Sequence, residues 1–536
     1  MNPEPTRLGG CNDIDHEERH RLLRADQQDA HFFGAWAINR LRRILRRPTR
    51  LGPRPLRLAI QGIVIASIST VILTPTLNPS YTRHPKHYKS LSQQCVGPAP
   101  TAGCANPNNQ TVFVSTILYD QDGNLADGLW GQRVLSLIHL LGPPNVFLSI
   151  YENDSGEIGQ TALDHLKAQV PCEHHIVSEP HVSLADFPTV TLPDGTHRVK
   201  RVAYLAELRN RALRPLDKFD PANPTKFDKI LFMNDVAFEP MDAAHLIFNT
   251  NKGDYLAACA LDFFEPHRMY DVYALRDADG YASYQTLYPF FGKRGSSFSR
   301  ADVLAQKDAV RVKSCWGGMM AVQGKYVQNL DAETTAVGGQ TVDPDHSSHV
   351  ATPVRFRHEP EAYYDACECC LFSADLRQVA NRDRTENGEI YVNPYVRVAY
   401  HERVFRWIGF FQQWERLFRV MSDIHSWFTR EAQNPWQEVE EGEEFTEEVW
   451  DGQEWKLVER VGRSGMFCGV REMQIMRAEG KRPGKKVNNW VNTRMPPGQS
   501  LSFPSFWGET LPEDWRREYV SADKEGREKF FHREYD

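Results

Sequence analysis

KILFMNDVAFEP, Lys229 to Pro240, is the stretch whose reading decides the fold. Its apolar run, Ile230 to Met233, carries no polar alternation, as expected of a central strand covered on both faces. Asn234 and Asp235 follow at the carboxyl end of that strand. In open α/β sheets, ligands bind outside the carboxyl ends of the strands. A carboxylate there holds Mg2+ or Mn2+ against a diphosphate, because such hard cations take a few carboxylates plus phosphate oxygens. Asp235 is therefore a candidate metal ligand. A turn or cap role fits its composition equally well, since Asn and Asp are common turn residues.

Working outward, the neighbouring segments alternate. TVFVSTILY (Thr111 to Tyr119), NVFLSIYEN (Asn145 to Asn153) and CEHHIVSE (Cys172 to Glu179) read as strands from their branched and aromatic content. LWGQRVLSLIHLLG (Leu129 to Gly142), GQTALDHLKAQV (Gly159 to Val170) and HRVKRVAYLAELRNRALRPL (His197 to Leu216) read as helices. Strand–helix alternation with short connections predicts an α/β fold, a mostly parallel sheet flanked by helices on both faces. Neither G-x-G-x-x-G nor G-x-x-x-x-G-K-[ST] opens a unit, which argues against a dinucleotide oxidoreductase and a P-loop enzyme.

Far upstream lies LAIQGIVIASISTVILTPTL, Leu58 to Leu77, preceded by RLRRILRRPTR and by Arg54 and Arg57. A membrane helix needs about 20 apolar residues. Positive charge before one such segment keeps the N-terminus cytosolic. The expected organisation is a cytosolic tail (1–57), a single transmembrane anchor (58–77) and a Pro- and polar-rich stem (78–110) that need not fold. A catalytic domain (111–430) and a charged, turn-rich C-terminal extension (431–536) follow. The body would then be lumenal. A short span suits early-secretory membranes, so a Golgi, single-pass type II placement is expected.

The formal charge is −7 with mixed signs, and the soluble body lacks a broad basic field, so nucleic acid is a poor partner. Ten cysteines allow several bridges in an oxidising compartment, and Cys95 and Cys104 flank a loop that a disulfide could close. Cys367, Cys369 and Cys370 are crowded, but no second pair completes a structural zinc site. Two sequons, at Asn109 and Asn153, permit glycosylation.

Two further clusters carry chemistry. LDFFEPHRMYDVYALRDADG, Leu261 to Gly280, sets Asp262, Glu265, His267, Arg268, Asp271, Arg276 and Asp277 among aromatics. This is either a solvated loop or a sugar-binding groove, with Asp262 the best candidate to touch the reacting sugar. SCWGGMMAV, Ser314 to Val322, offers two glycines that let backbone approach a ligand, or a tight turn before a strand. Trp316 is either a stacking surface for an acceptor sugar or core.

These blocks together are specific. GLWGQRVLSLIHLLGPPNVFLSIYENDS, KILFMNDVAF, YLAACALDF, MYDVYALRDADG, VKSCWGGMMAV and ECCLFSADL followed by YVNPYVRVAY occur in one order. In that order they resemble the fungal capsule-associated α-1,3-mannosyltransferases, glycosyltransferase family 69. The resemblance implies a type II membrane protein with a GT-A-like fold. It also implies transfer of mannose from GDP-mannose to the 3-hydroxyl of an α-mannoside or glycan acceptor, with Mn2+ or Mg2+ and with retention of configuration. Asp235 matches the metal carboxylate, within Asn-Asp-Val instead of Asp-x-Asp. Asp262, Asp277 and Glu368 are then the catalytic candidates. Asp271, Arg276, Lys313, Trp316, Gly317 and Gly318 are the candidates for substrate contact, with Arg276 and Lys313 expected to support the departing diphosphate. The competing readings are a transferase with another sugar nucleotide, a non-catalytic membrane-anchored glycan-assembly protein, and a metal-dependent hydrolase.

Overall fold

The computed structural model describes residues 53–493, apart from 98–99, 180, 219, 221, 223–225, 284, 331–351, 384–387, 429–438 and 478–488. Most of the expected cytosolic tail and the last part of the expected C-terminal extension lie outside the described residues.

The chain starts with α1 (Pro53–Leu77) and α2 (Lys86–Gln94). The body then runs β1 (Val112–Leu118), α3 (Leu129–Leu141), β2 (Val146–Asn153), α4 (Gly156–Gln169) and β3 (Glu173–Glu179). A hairpin of β4 (Thr189–Thr191) and β5 (His197–Val199) precedes α5 (Arg201–Leu213). Next come β6 (Lys229–Met233), α6 (Pro240–Phe248), β7 (Ala257–Glu265), β8 (Arg268–Met269) and β9 (Arg276–Asp277). The remaining sheet and helix elements are α7 (Phe298–Leu304), β10 (Val310–Ser314), β11 (Met319–Gln323), β12 (Asp365–Ala366), α8 (Glu368–Asp383) and β13 (Ile390–Ala399). Helices α9 (Glu402–Gln412) and α10 (Glu415–Phe428) follow, then β14 (Glu444–Trp450), β15 (Trp455–Val461), β16 (Gly469–Val470), β17 (Gln474–Met476) and β18 (Trp490–Asn492).

The main sheet has the order β3-β2-β1-β6-β11-β7-β13-β10-β9, with β8 on β7. Along that path every strand points one way except β11 and β10. The expected mostly parallel sheet is therefore present, with an antiparallel strand on each side of the β7–β13 pair. Alternate residues serve opposite faces. Ile230 and Phe232 join one core, with Leu213 of α5 and Phe372 of α8, while Leu231 and Met233 join the other, with Val134 of α3 and Leu163 of α4. Helices cover both faces, so β6 is buried throughout.

Three expectations change. The segment His197–Val199 is a strand of the hairpin and not the first turn of a helix. The stem is folded: Tyr88 is buried and stacked on His245 at 4.5 Å, Asn393 Nδ2 donates to its hydroxyl at 2.6 Å, and Cys95 is bridged to Cys104. Buried Tyr81 and Tyr88 and a disulfide outweigh the polar composition there. The boundary expected at 430 is no structural break. β16 pairs with β12, Cys370 is bridged to Cys468, and Cys468 lies in the main core.

Candidate active site

Asp235 is the only residue from Lys229 to Phe238 that is not buried. Its position is fixed by its neighbour. The Asn234 amide N–H donates to Gly318 O at 2.9 Å, and Asn234 Nδ2 donates to the Tyr400 hydroxyl at 3.1 Å. Arg209 Nη1 donates to Asn234 Oδ1 at 3.3 Å, and Trp130 Nε1 to Asn234 O at 3.4 Å. On the other side, Ala237 exchanges backbone bonds with Ala399. The turn after β6 is thus clamped by four segments, and it presents the Asp235 carboxylate.

Behind it stands a buried network. Arg209, on α5, is paired with Glu368 at 3.1 Å and lies 4.2 Å above the Trp316 ring. Glu368 is the first residue of α8, has no exposed surface, and is in contact with the Sγ atoms of Cys367 and Cys369. Glu368 is therefore enclosed behind Arg209 and Asn234 and not open at the strand ends, which corrects its expected catalytic contact. Trp316 has no exposed surface either, so it is core and not a stacking platform for an acceptor.

Gly317 and Gly318 also serve packing. A Cβ on Gly317 would stand 2.0 Å from Ala260 O, and one on Gly318 would stand 3.0 Å from Val236 and 3.1 Å from Val398. Both have positive φ. The pair lets the segment after β10 cross tightly over β7, where the Cys259–Cys315 disulfide fastens it. Gly317 approaches protein backbone, and Gly318 approaches the side chains of Val236 and Val398.

Asp262 pairs with Val398 in register and sits beside Gly318, so it belongs to the same end of the sheet as Asp235. It is enclosed, and its Oδ1 accepts the Asp271 N–H at 3.0 Å. Asp271 in turn accepts the N–H groups of Tyr273 and Ala274 on Oδ1 and of Gly317 on Oδ2. Burial pushes its carboxyl upward, opposed by those N–H groups and by Arg276. Asp271 ties the loop after β8 to the glycine turn; it does not face substrate.

The remaining candidates lie elsewhere. Asp277 pairs with Val312, which pairs with Ile390 at the start of β13, whereas Asp262 pairs with Val398 near its end. At roughly 3.3 Å per residue, that separation is on the order of 20 Å along the sheet. Asp277 Oδ1 accepts from Asp279 and Tyr281, and burial pushes its carboxyl up to about 6. It is a turn acid, not a partner of Asp262. Arg276 is buried and donates to the carbonyls of Phe467, Tyr273, Leu275 and Cys468, so it stitches the C-terminal segment to the body. Lys313, next to Asp277 and Asp279, lies over the Phe467 ring at 5.2 Å. Both cations are engaged with the C-terminal segment around Phe467, which departs from their expected place beside a departing diphosphate.

The carboxyl ends of β2 and β3 hold groups that the sequence reading passed over. Asn153 is buried; its Nδ2 donates to Asp154 and to the Tyr204 hydroxyl, both at 3.0 Å, and its Oδ1 is a buried acceptor with no partner among the described residues. His181 Nδ1 lies 2.8 Å from Asp154 Oδ1. Arg211 joins the Tyr151 hydroxyl and Glu179. Burial also closes the Asn153 sequon to a glycan, while Asn109 is exposed. The missed signal was Glu-Asn-Asp-Ser directly after an apolar strand, the same layout as Asn-Asp after β6.

Cys367, Glu368 and Cys369 lie close enough together to share an ion, but Cys367 is disulfide-bonded and Glu368 is engaged by Arg209, so the cluster does not offer a free thiolate set. Among the described residues Asp235 is the half-exposed carboxylate at the mouth, with Asp262 and Asp271 enclosed behind it. That set fits Mg2+ or Mn2+ drawing most of its ligands from diphosphate and water, and does not fit an all-protein cage.

A mixed sheet that gathers acidic and amide groups at the carboxyl ends of its parallel strands marks an α/β ligand-binding enzyme. Residues 111–375 match the family model described as Cryptococcal mannosyltransferase 1, and this part of the chain belongs to that glycosyltransferase family. No curated protein matches the chain. Among solved structures, a mannosyltransferase from Pyrobaculum calidifontis in complex with GDP-Man and Mn2+ is 12% identical, covering 67% of this chain and 75% of its own, with a TM-score of 0.29. Staphylococcus aureus TarS in complex with UDP is 11% identical over 60% of this chain and 73% of its own, with a TM-score of 0.27. Likenesses this remote say nothing of what the present chain binds.

Proposed function

We propose that this chain is a membrane-anchored, retaining α-1,3-mannosyltransferase using GDP-mannose and Mn2+ or Mg2+. The observation that carries the reading is Asp235, the one half-exposed residue of an otherwise buried strand-and-turn, in a chain of this family. In the reaction the bond from mannose C1 to the diphosphate oxygen breaks, a bond from C1 to the acceptor 3-hydroxyl oxygen forms, and the hydroxyl proton is released. A bound cation would neutralise the charge developing on GDP. Asp235 would hold it, and the Asn234–Arg209–Glu368 line would keep Asp235 in place. The orphan Asn153 Oδ1 offers an acceptor for a donor group on the nucleotide sugar. Purified full-length chain given Mn2+ and an α-mannoside is expected to consume GDP-mannose faster than UDP-glucose, UDP-galactose or UDP-xylose. Preference for a UDP-sugar would move it to another transferase class. Inactivity toward every donor with several acceptors would favour a binding role.

The anchor reading is part of the proposal. Leu58–Leu77 is apolar enough to cross a membrane, with mean hydropathy 1.9, and its large side chains are exposed. The bridges Cys95–Cys104, Cys259–Cys315 and Cys370–Cys468 all lie beyond it, as suits an oxidising lumen such as that leading to the Golgi. Protease added to sealed microsomes is expected to remove only the N-terminal tail. Digestion of the body from outside would overturn the type II orientation.

A further inference from the structure

The structure assigns helices α9 and α10, the two arms of a helical hairpin joined by the link Gln413–Trp414, a second role: their exposed apolar side chains rest in the lipid leaflet from which α1 emerges. This rests on the reading of α1 as a membrane anchor, and it concerns different residues.

The inner face of the hairpin is ordinary core. Ile408 is buried, and Val404, Phe405 and Phe418 pack against the main cluster. The outer face is apolar as well. On α9, Trp407 and Phe410 lie one turn apart, continued by Trp414, with ring centroids 5.5 Å and 4.7 Å apart along the row. On α10, Val420, Met421 and Ile424 share a stripe at helical spacing. Trp407 is 51% exposed and Val420 62%. Large apolar side chains left exposed on both helices call for an apolar neighbour.

The neighbour is indicated by α1. Pro75 has no N–H, so the carbonyl four residues earlier, Val71 O, lacks its helical donor. Trp414 Nε1 donates to Val71 O at 2.8 Å. Arg416 Nε donates to Pro79 O, and Gln412 Nε2 to Tyr81 O. The hairpin is therefore fastened to the body-side end of α1. Val71 lies six residues inside the end of α1 at Leu77, which is about 9 Å at 1.5 Å per residue. Interfacial helices bury their apolar face about 5–10 Å deep, so Trp414 reaches α1 at the depth that such a helix occupies. A carbonyl left open at that depth would be costly in lipid, and tryptophan is the side chain favoured at the boundary.

Charge supports lipid over a protein partner. The acidic groups of the hairpin are turned to the body: Glu402 pairs with Arg133, Glu415 with Arg397, and Asp423 with Arg300. Arg403, Arg406 and Arg419 are exposed. Basic residues bordering an apolar stripe suit anionic headgroups.

The test uses the full-length chain in vesicles of phosphatidylcholine with a minor share of phosphatidylserine. A fluorophore is attached through Val420→Cys, or through Leu457→Cys on β15 as an exposed control, and the signal of the identically treated unmodified chain is subtracted. A nitroxide placed shallow in the acyl chains is expected to remove most of the fluorescence at 420 and none at 457. A chain that floats with the vesicles but is not quenched at 420 overturns the proposal and leaves the anchor intact. Quenching equal at both positions also overturns it, since contact would be general. A chain that does not float overturns the anchor reading and the hairpin with it.

Discussion

Asp235→Asn is expected to abolish most GDP-mannose turnover while leaving the fold intact. The substitution keeps size and shape at the turn and removes only the charge. If Asp235 merely capped the turn, little would change, because Asn caps about as well as Asp. If it holds the cation, the loss should be roughly 10²-fold or more in rate, which corresponds to about 2.7 kcal/mol of transition-state stabilisation. Stability should be nearly unchanged, since Asn keeps the size of the side chain and the surrounding turn is held by Asn234 and by the Ala237–Ala399 bridge. The measurement is turnover together with melting curves, each with and without Mn2+ and GDP. The wild-type curve should rise on adding both, and the variant's should not. Near-normal turnover would sink the metal role and leave Asp262, enclosed beside it, as the carboxylate to examine.

Glu368→Gln is expected to cost stability first and activity second. Glu368 and Arg209 form a buried pair, with side chains 0% and 5% exposed. Removing one charge of a buried pair strands the other, at a cost of about 3–5 kcal/mol. The loosened guanidinium also weakens the hold on Asn234, so turnover should fall with the melting temperature. The double variant Glu368→Gln, Arg209→Met removes both charges and should melt higher than Glu368→Gln alone, because an apolar replacement of a buried pair is often neutral or stabilising. A Glu368→Gln variant that melts like the wild type but turns over nothing would restore the direct catalytic contact that burial argues against.

Much of the fold was legible because the relevant signals are local. An unbroken apolar run such as Ile230–Met233 is a covered strand wherever it occurs, and helical spacing in Leu129–Leu141 needs no knowledge of the partner. The acid at the end of that strand could be singled out for the same reason. The apolar segment at Leu58–Leu77 and the local Cys95–Cys104 bridge are likewise properties of contiguous chain.

What the linear chain could not decide was which side chains share a space. Asp262 and Asp277 stand close in sequence, yet the loop after β8 and the antiparallel turn of β10 carry them to opposite ends of the sheet. Arg276 and Trp316 looked like ligand contacts because charge and aromaticity look the same whether they meet a sugar or a carbonyl in the core. Arg209 went unnoticed within an otherwise ordinary helix. Only the packing of α5 against α8 shows that its charge is matched by Glu368 and spent on Asn234. Local pattern determined the elements and the acid at the mouth. Burial and long-range pairing, which arise only when distant segments meet, decided which groups stand at the site and which stand behind it.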